Sequence, residues 1–591
     1  MDSPKSAKGY FNVDDEAQER AYKIKTFKRW LLVAASVLVL LGVIIGASVS
    51  VARSKRNYPH GSPPSSTPEL TPAASLKNVC SVTRFPDACV SSISKIPSSN
   101  TTDPVDLFRL SLKVVVDELA SISDLPRKLA EETDDEGIKS ALDVCGEMLD
   151  VAMDSVNDTV SAMEVGDGTN NILSSGKIDD LKTWLTAATT YYETCFDILA
   201  EISPNQSVHK TAIVSQNLTS AMRNSTEYTS NSLSIVAKIL STLSDFGVPI
   251  HRRRRLLTSN SLPVWVSPRV RRLLSAKSVT PDVTVAADGS GDVWTVNEAV
   301  AKIPRKSNAT FVIYVKAGTY VENVVMDKSM WNVMIYGDGK SKSIISGSKN
   351  FGVMGIKTLH TATLGVLGKG FMMKDMGIIN TAGPEKSQAV AFLSESDQSV
   401  YYQCSFEGYQ DTLYPHTMRQ LYRDCDVTGT VDFIFGNAAV VFQGCNIRPR
   451  QPLPKQYNTI TAQGRKGEDQ HSGTVIQGCT ITPNGNVTAA TYLGRPWKQY
   501  STTVFMQSEI GSLVGPAGWM RWDEGVDPPS TILYGEYENW GPGAGVTERV
   551  KWAGYKPTMS AAEAGRFTVD AFINENHWLP ATGVPYQPSF Y

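Results

Sequence analysis

The chain has 591 residues, of which 41% are hydrophobic and 20% charged, with a formal net charge of −2. That is enough apolar material for a sizeable core and more than one domain, and the near-neutral balance removes the electrostatic case for a nucleic-acid partner. Eight cysteines in a chain this long exclude a disulfide-dense scaffold, so their placement matters more than their number.

Residues 1–29 form a polar tail ending in Lys23, Lys25, Lys28 and Arg29, and Trp30 to Ala52 is a run of 23 residues without a charge. Such a run is long enough to cross a bilayer as a helix. With 29 residues ahead of it, it reads as a transmembrane signal-anchor rather than a short cleaved leader. Arg53, Lys55 and Arg56 follow it, so flanking charge leaves the orientation open. Seven Asn-x-Ser/Thr sequons, at Asn100, Asn157, Asn205, Asn217, Asn224, Asn308 and Asn486, all lie downstream and favour the lumenal side. The five ending at Asn224 carry most of the weight. Residues 53–75 are a linker, rich in Pro, Ser and Thr from residue 57.

Residues 76–249 carry a helical pattern. Asp106 to Ser121, Ile138 to Val160 and Ile178 to Ile202 place apolar residues at three- and four-residue steps, and Trp184, Leu185, Ala188, Tyr191, Tyr192 and Cys195 make one wide apolar face. An antiparallel four-helix bundle is expected. Cys80 and Cys89 flank a short turn containing Pro86, while Cys145 and Cys195 sit on two long helices. Four cysteines allow three connectivities; the local pair Cys80–Cys89 and the helix-pinning pair Cys145–Cys195 are expected. Residues 250–278 form a linker with two basic clusters, HRRRRLL from His251 to Leu257 and RVRRLL from Arg269 to Leu274. Between two regions of different composition these are candidate processing sites, with Arg254, Arg255, Arg271 and Arg272 as recognition residues and cleavage after Leu257 or Leu274.

From residue 279 to 591 glycine, β-branched and aromatic residues take over, and after Val296 to Ile303 no long helical pattern remains. Strands are expected at Phe311 to Val315, Asn332 to Tyr336, Ser399 to Cys404, Ala439 to Phe442 and Thr474 to Gln477. A Cys-x-apolar tripeptide recurs at Cys404, Cys425, Cys445 and Cys479, the first three spaced by 21 and 20 residues. A fixed period of this size is a solenoid signal, each coil burying its inward side chains against the next. Cys425 and Cys445 are either bridged or stacked as free thiols.

Asp411 and Asp432 are 21 residues apart, one coil, so their carboxyls should land on neighbouring rungs about 4.8 Å apart. Two carboxyls that close divide into a protonated acid and a charged nucleophile. Gln388 lies 22 residues before Gln410, again one coil. Asp432 is embedded among Val431, Phe433, Ile434 and Phe435, where a carboxylate needs a partner. Arg495, three coils further by the same count, would supply it, leaving Asp411 as the protonated member. A retaining glycosidase also uses two carboxyls at about this separation but needs no oxyanion donors such as Gln388 and Gln410. Two interacting carboxyls also predict a bell-shaped pH profile whose apparent values belong to the pair. No His or Cys grouping has metal-ligand spacing.

The segments VDFIFGNAAVVFQ, GYQDTLY, TAGPEKSQAVA, LGRPW and GTYVENV resemble the plant-type pectin methylesterases, and the likeness extends over nearly all of residues 279–591. The upstream region, by its cysteine layout and helix pattern, resembles the pectin methylesterase inhibitor fold carried as a pro-region. The resemblance implies an all-β right-handed parallel β-helix that hydrolyses methyl esters of homogalacturonan without a cofactor or metal. It implies Asp432 as nucleophile, Asp411 as general acid and then base, Gln388 and Gln410 as oxyanion donors worth about 3 kcal/mol each, and Arg495 as the residue orienting Asp432. Thr358 and Trp497 match sugar-contacting positions, and Phe433 and Tyr414 are expected to line the groove. The chain departs from the family pattern at Pro415, Thr417 and Ala391 to Gln398, none of them catalytic positions. The implied partners are methyl-esterified homogalacturonan, a processing protease of the secretory pathway and proteinaceous inhibitors. The catalytic portion is expected to be monomeric and secreted to the cell wall once the bundle, which would occlude the groove, is removed.

Overall fold

The computed structural model describes residues 71–164, 174–202, 208–245 and 280–591. The Trp30 to Ala52 run, both basic clusters and Asn205 lie outside the described residues. Among the described residues no helix is long and apolar enough to cross a membrane. The other six sequon asparagines are exposed. Leu76–Tyr591 forms one compact unit, and its described residues make both a helical region and a β-solenoid.

Four long helices stand out among the described residues: α1 (Pro104–Ile122), α2 (Glu136–Glu164), α3 (Ser175–Ala200) and α4 (Val208–Ile235). Local chemistry sets their starts. Asp103 caps α1 by accepting the Val105 N–H at 2.8 Å, with Pro104 in the first turn where its missing N–H costs nothing. Ser174 caps α3 by accepting the Lys177 N–H. Cys145 of α2 is bridged to Cys195 of α3, and Cys80 to Cys89, as expected. Pro86 opens the helix Pro86–Ile93 that carries Cys89 rather than lying in the turn before it. The expected single apolar face of α3 is in fact half of a helix buried on two sides. Tyr192, Cys195 and Leu199 pack among the helices, whereas Trp184 donates to Asp397 and Tyr191 meets His416 edge-on, both in the β-solenoid.

The second region is a parallel β-helix. Its strands form three sheets of 11, 7 and 8 strands, and among the described residues the strands pair in parallel, each inner strand bonding to its counterparts in the coils before and after. The register Val400↔Leu421↔Val441↔Val475 runs straight up the largest sheet. Inside, like side chains stack: Tyr401 on Tyr422 at 4.4 Å and Tyr422 on Phe442 at 4.6 Å between ring centres. Cys404, Cys425, Cys445 and Cys479 form a second ladder and are all buried free thiols, which settles the alternative left open for Cys425 and Cys445. Each cysteine follows a residue with positive φ (Gln403, Asp424, Gly444, Gly478), the left-handed bend that turns one sheet into the next.

Short helices close one end of the solenoid and cover one of its faces. Val296–Val300, fixed by a capping box between Thr295 and Glu298, inserts Val296, Ala299 and Val300 into the interior at one end. Near the C-terminus, Val569, Phe572, Ile573, Trp578 and Leu579 lie over the outer face of the largest sheet against Val441, Val475 and Val504. This cover explains why central strands such as Ala439–Gln443 are buried throughout rather than alternating.

Candidate active site

The site lies on the seven-stranded sheet. Asp411 precedes strand Leu413–Pro415 by two residues and Asp432 precedes strand Ile434–Gly436 by two, and these strands pair through Leu413↔Ile434. The Asp411 N–H donates to the Val431 carbonyl at 3.0 Å, which fixes the two aspartates on adjoining coils. Both adopt the left-handed conformation (φ +59° and +51°). That bend turns the carboxyls outward and breaks strand alternation just before Ile434. As a result Phe433 and Ile434 both point into the solenoid, and Phe435 faces out, stacked on Tyr414 at 4.1 Å. The expectation that Phe433 lines the groove is therefore corrected: it is wholly buried in the interior, and Phe435 takes that position.

Arg495 grips Asp432 with a fork: Nε donates to Oδ1 at 2.8 Å and Nη2 to Oδ2 at 2.6 Å. Although burial works the other way, the Asp432 carboxylate carries the guanidinium above its ordinary value. Arg495 stands two coils from Asp432, not three, because strand Thr491–Gly494 pairs with Asn458–Gln463 and that strand with Ile434–Gly436. Thr459, on the intervening coil, accepts the Asp432 N–H at 2.8 Å and donates its hydroxyl to Oδ1 at 2.6 Å. Trp522 lies under the guanidinium at 4.4 Å. Among the described residues Asp411 has no such cation of its own. Burial pushes its carboxyl well above the usual carboxylate range, and the charges of Asp432 and then Glu201 add to this, against a smaller opposing pull from Arg495.

Gln388 and Gln410 sit on adjoining coils, joined where the Ala389 N–H donates to the Gln410 carbonyl at 3.3 Å. Both are half-buried, and among the described residues neither amide is taken up by another side chain. Trp497 stacks on Trp522 and tilts against Phe435, so Tyr414, Phe435, Trp497 and Trp522 make a continuous aromatic wall.

The groove is covered. Tyr414, Phe435, Leu359, Val390 and Ala462 share one apolar cluster with residues of α2, α3 and α4. Along α3, Asn437 donates to Thr190 Oγ1 at 2.9 Å, Gln470 donates to Thr189 Oγ1 at 2.7 Å, and Thr194 Oγ1 bonds His416 Nε2 at 2.6 Å. Just past the helix, Glu201 accepts the Thr358 N–H at 3.3 Å, so the expected sugar contact is occupied by a carboxylate of the helical region. Thr459, Trp522 and Glu201 were not singled out from sequence. Thr459 was findable by aligning coils of unequal length; the other two carry no periodic signal.

A cation-held carboxylate beside a neutral carboxyl, flanked by unclaimed amides in an aromatic-walled groove, defines a carboxylic ester hydrolase built on a parallel β-helix. Residues 282–576 match the family model described as pectinesterase, and residues 74–235 match that of the plant invertase/pectin methylesterase inhibitor. The chain is 64% identical to Pectinesterase 1 of Arabidopsis thaliana with both chains fully covered, and 52% identical to Pectinesterase 3 of Phaseolus vulgaris over 99% of each. The solved pectin methylesterase from carrot matches with 46% identity and a TM-score of 0.52, over 53% of this chain and 100% of that one. The chain belongs to the pectinesterase family.

Proposed function

We propose that the β-helix hydrolyses the methyl esters of homogalacturonan through an Asp432 acyl-enzyme, and that the helical region is its inhibitory pro-region. Asp432, oriented by Arg495 and Thr459, attacks the ester carbonyl carbon, and the Gln388 and Gln410 amides donate to the developing oxyanion. As the tetrahedral centre collapses, Asp411 gives its proton to the departing methoxy oxygen and methanol leaves. The Asp411 carboxylate then takes a proton from water, the hydroxide attacks the Asp432 anhydride, and the free galacturonate and the Asp432 carboxylate are regenerated. The reading is carried by the fork of Arg495 on Asp432 beside a carboxyl whose surroundings keep it neutral. Asp432→Asn tests it: methanol release should fall by several orders of magnitude. New reducing ends appearing in place of methanol would instead favour a glycosidase.

The helical region reads as a four-helix bundle, and its seat over the groove supports autoinhibition. The boundaries then follow the sequence: residues 76–249 for the pro-domain, 250–278 for the processing linker and 279–591 for the catalytic domain. The N-terminal signal-anchor, the exposed sequons and the linker's basic clusters support passage through the secretory pathway, glycosylation, cleavage and release to the cell wall. An uncleaved chain as active as the trimmed one would refute the occlusion.

A further inference from the structure

The carboxylates of α3 that face the groove fall on basic side chains of the β-helix. Glu193 accepts from Lys466 Nζ at 2.5 Å, and Asp197 pairs with Lys498. Glu201, four residues on, continues the row to Thr358 and the field at Asp411. A step of four residues keeps Glu193 and Asp197 on one face of α3, about 6 Å apart along its axis, and Glu201 at the C-cap extends the line. Lys498 follows Trp497 and lies three residues beyond Arg495. Glu193, Asp197, Tyr414, Trp497 and Lys498 line one small cavity, so this ionic row runs into the reaction groove.

Neither lysine has an acidic partner within the catalytic portion among the described residues; Lys498 there only lies over the Trp497 ring, at 4.9 Å. Asp432 is already held by Arg495, and Arg419, further along the groove, is already held by Asp397 at 2.6 Å before Asp180 of α3 adds to it. For Lys466 and Lys498, by contrast, the acidic partner among the described residues is supplied by the helical region alone. With α3 gone, both ammonium groups face an open groove beside an aromatic wall that suits sugar rings.

Resting on the pectinesterase reading, we infer that Lys466 and Lys498 are anion subsites that bind the free carboxylates of galacturonate units already de-esterified, and that Glu193 and Asp197 of α3 occupy them as stand-ins. Burial pushes both helix carboxyls above their ordinary range despite the lysines beside them, so the helix docks them at a desolvation cost that a wetter, flexible polyuronate would largely avoid.

The test is calorimetric. The full chain is cut within residues 246–279 and freed of its helical portion; the carrot enzyme, which corresponds to 53% of this chain, shows that a β-helix of this extent stands alone. Two probes are titrated, an unesterified oligogalacturonide and its fully methyl-esterified counterpart. Lys466→Gln and Lys498→Gln should each weaken the unesterified probe about fivefold, reduce the salt dependence of its binding, and change affinity for the esterified probe less than twofold; Lys→Arg should restore binding. Equal weakening of both probes, or no weakening of either, overturns the inference, with matched thermal melts showing that the variants are folded. A wild-type β-helix that binds neither probe and releases no methanol would instead bring down the pectinesterase reading itself.

Discussion

Arg495 offers the sharpest test of how Asp432, the proposed nucleophile, is held. Its two donors reach the two oxygens of Asp432 at 2.8 and 2.6 Å, and its side chain is only 15% exposed. Arg495→Lys keeps the charge but can restore one bond at most. A hydrogen bond to a charged group is worth about 1.5–3 kcal/mol net. If that loss appears as misorientation of the attacking oxygen, kcat should fall about 10- to 150-fold with little change in KM. Arg495→Ala goes further and leaves a desolvated carboxylate beside Asp411. Removing one partner of a buried pair costs about 3–5 kcal/mol, which lowers Tm by on the order of 10 °C in a domain of this size. The assays are methanol release and a thermal melt, both on the cleaved enzyme. A Lys variant with wild-type kcat would refute the orienting role, and an Ala variant with an unchanged melt would show that the pair is not structurally coupled.

Asp411→Asn should abolish most turnover, by about 10²- to 10⁴-fold, yet raise stability at neutral pH. The folded chain holds the Asp411 proton above the ordinary carboxylate range while the unfolded chain releases it, so wild-type stability falls as pH rises from that range through the raised value. Melts of the two proteins should converge at acidic pH and separate towards neutrality, and no separation would refute the raised value. The same sign governs docking of the pro-region. Burial raises the carboxyls of Asp180, Glu193, Asp197 and Glu201, so a chain cut in the linker should retain its helical portion at acidic pH and release it as pH rises, as read by gel filtration. The Cys145–Cys195 bridge closes a span of 50 residues, a loop worth about 4 kcal/mol by chain entropy. Cys145→Ser should therefore loosen the helical region and raise methanol release by the uncleaved chain; unchanged release would show that the bridge does not support inhibition.

Where one residue type repeats at one spacing, the sequence was readable. The Cys-x-apolar period marked a solenoid, and the 21-residue step placed Asp411 and Asp432 on paired coils because no loop interrupts that coil. The same arithmetic miscounted Arg495, since the coil from Cys445 to Cys479 spans 34 residues and carries a surface loop. Phe433 turns inward instead of lining the groove because a left-handed bend at Asp432 shifts the alternation, and propensity does not reveal such a bend at an aspartate. The second buried face of α3 was hidden for a different reason. Its threonines and acids resemble a solvated surface: the threonine hydroxyls donate back along the helix, and the partners that bury them come from the β-helix more than 200 residues away.

The apolar and polar parts of the covered groove do different work. Tyr191 meets His416 edge-on, His416 lies against Tyr414, and Tyr414 stacks on Phe435, so the floor packs against the helices as one apolar body. Such burial is non-directional: it supplies affinity but would tolerate a helix shifted by a turn. The threonine bonds and the Glu193–Lys466 and Asp197–Lys498 pairs do not tolerate that shift, because each donor meets one acceptor at one helical position. Affinity therefore draws on the aromatic surface that a sugar chain would use, while register depends on side chains that only the helix presents. A change in the floor should disturb inhibition and catalysis together, whereas a change on the solenoid-facing side of α3 alters inhibition and leaves the catalytic groove intact.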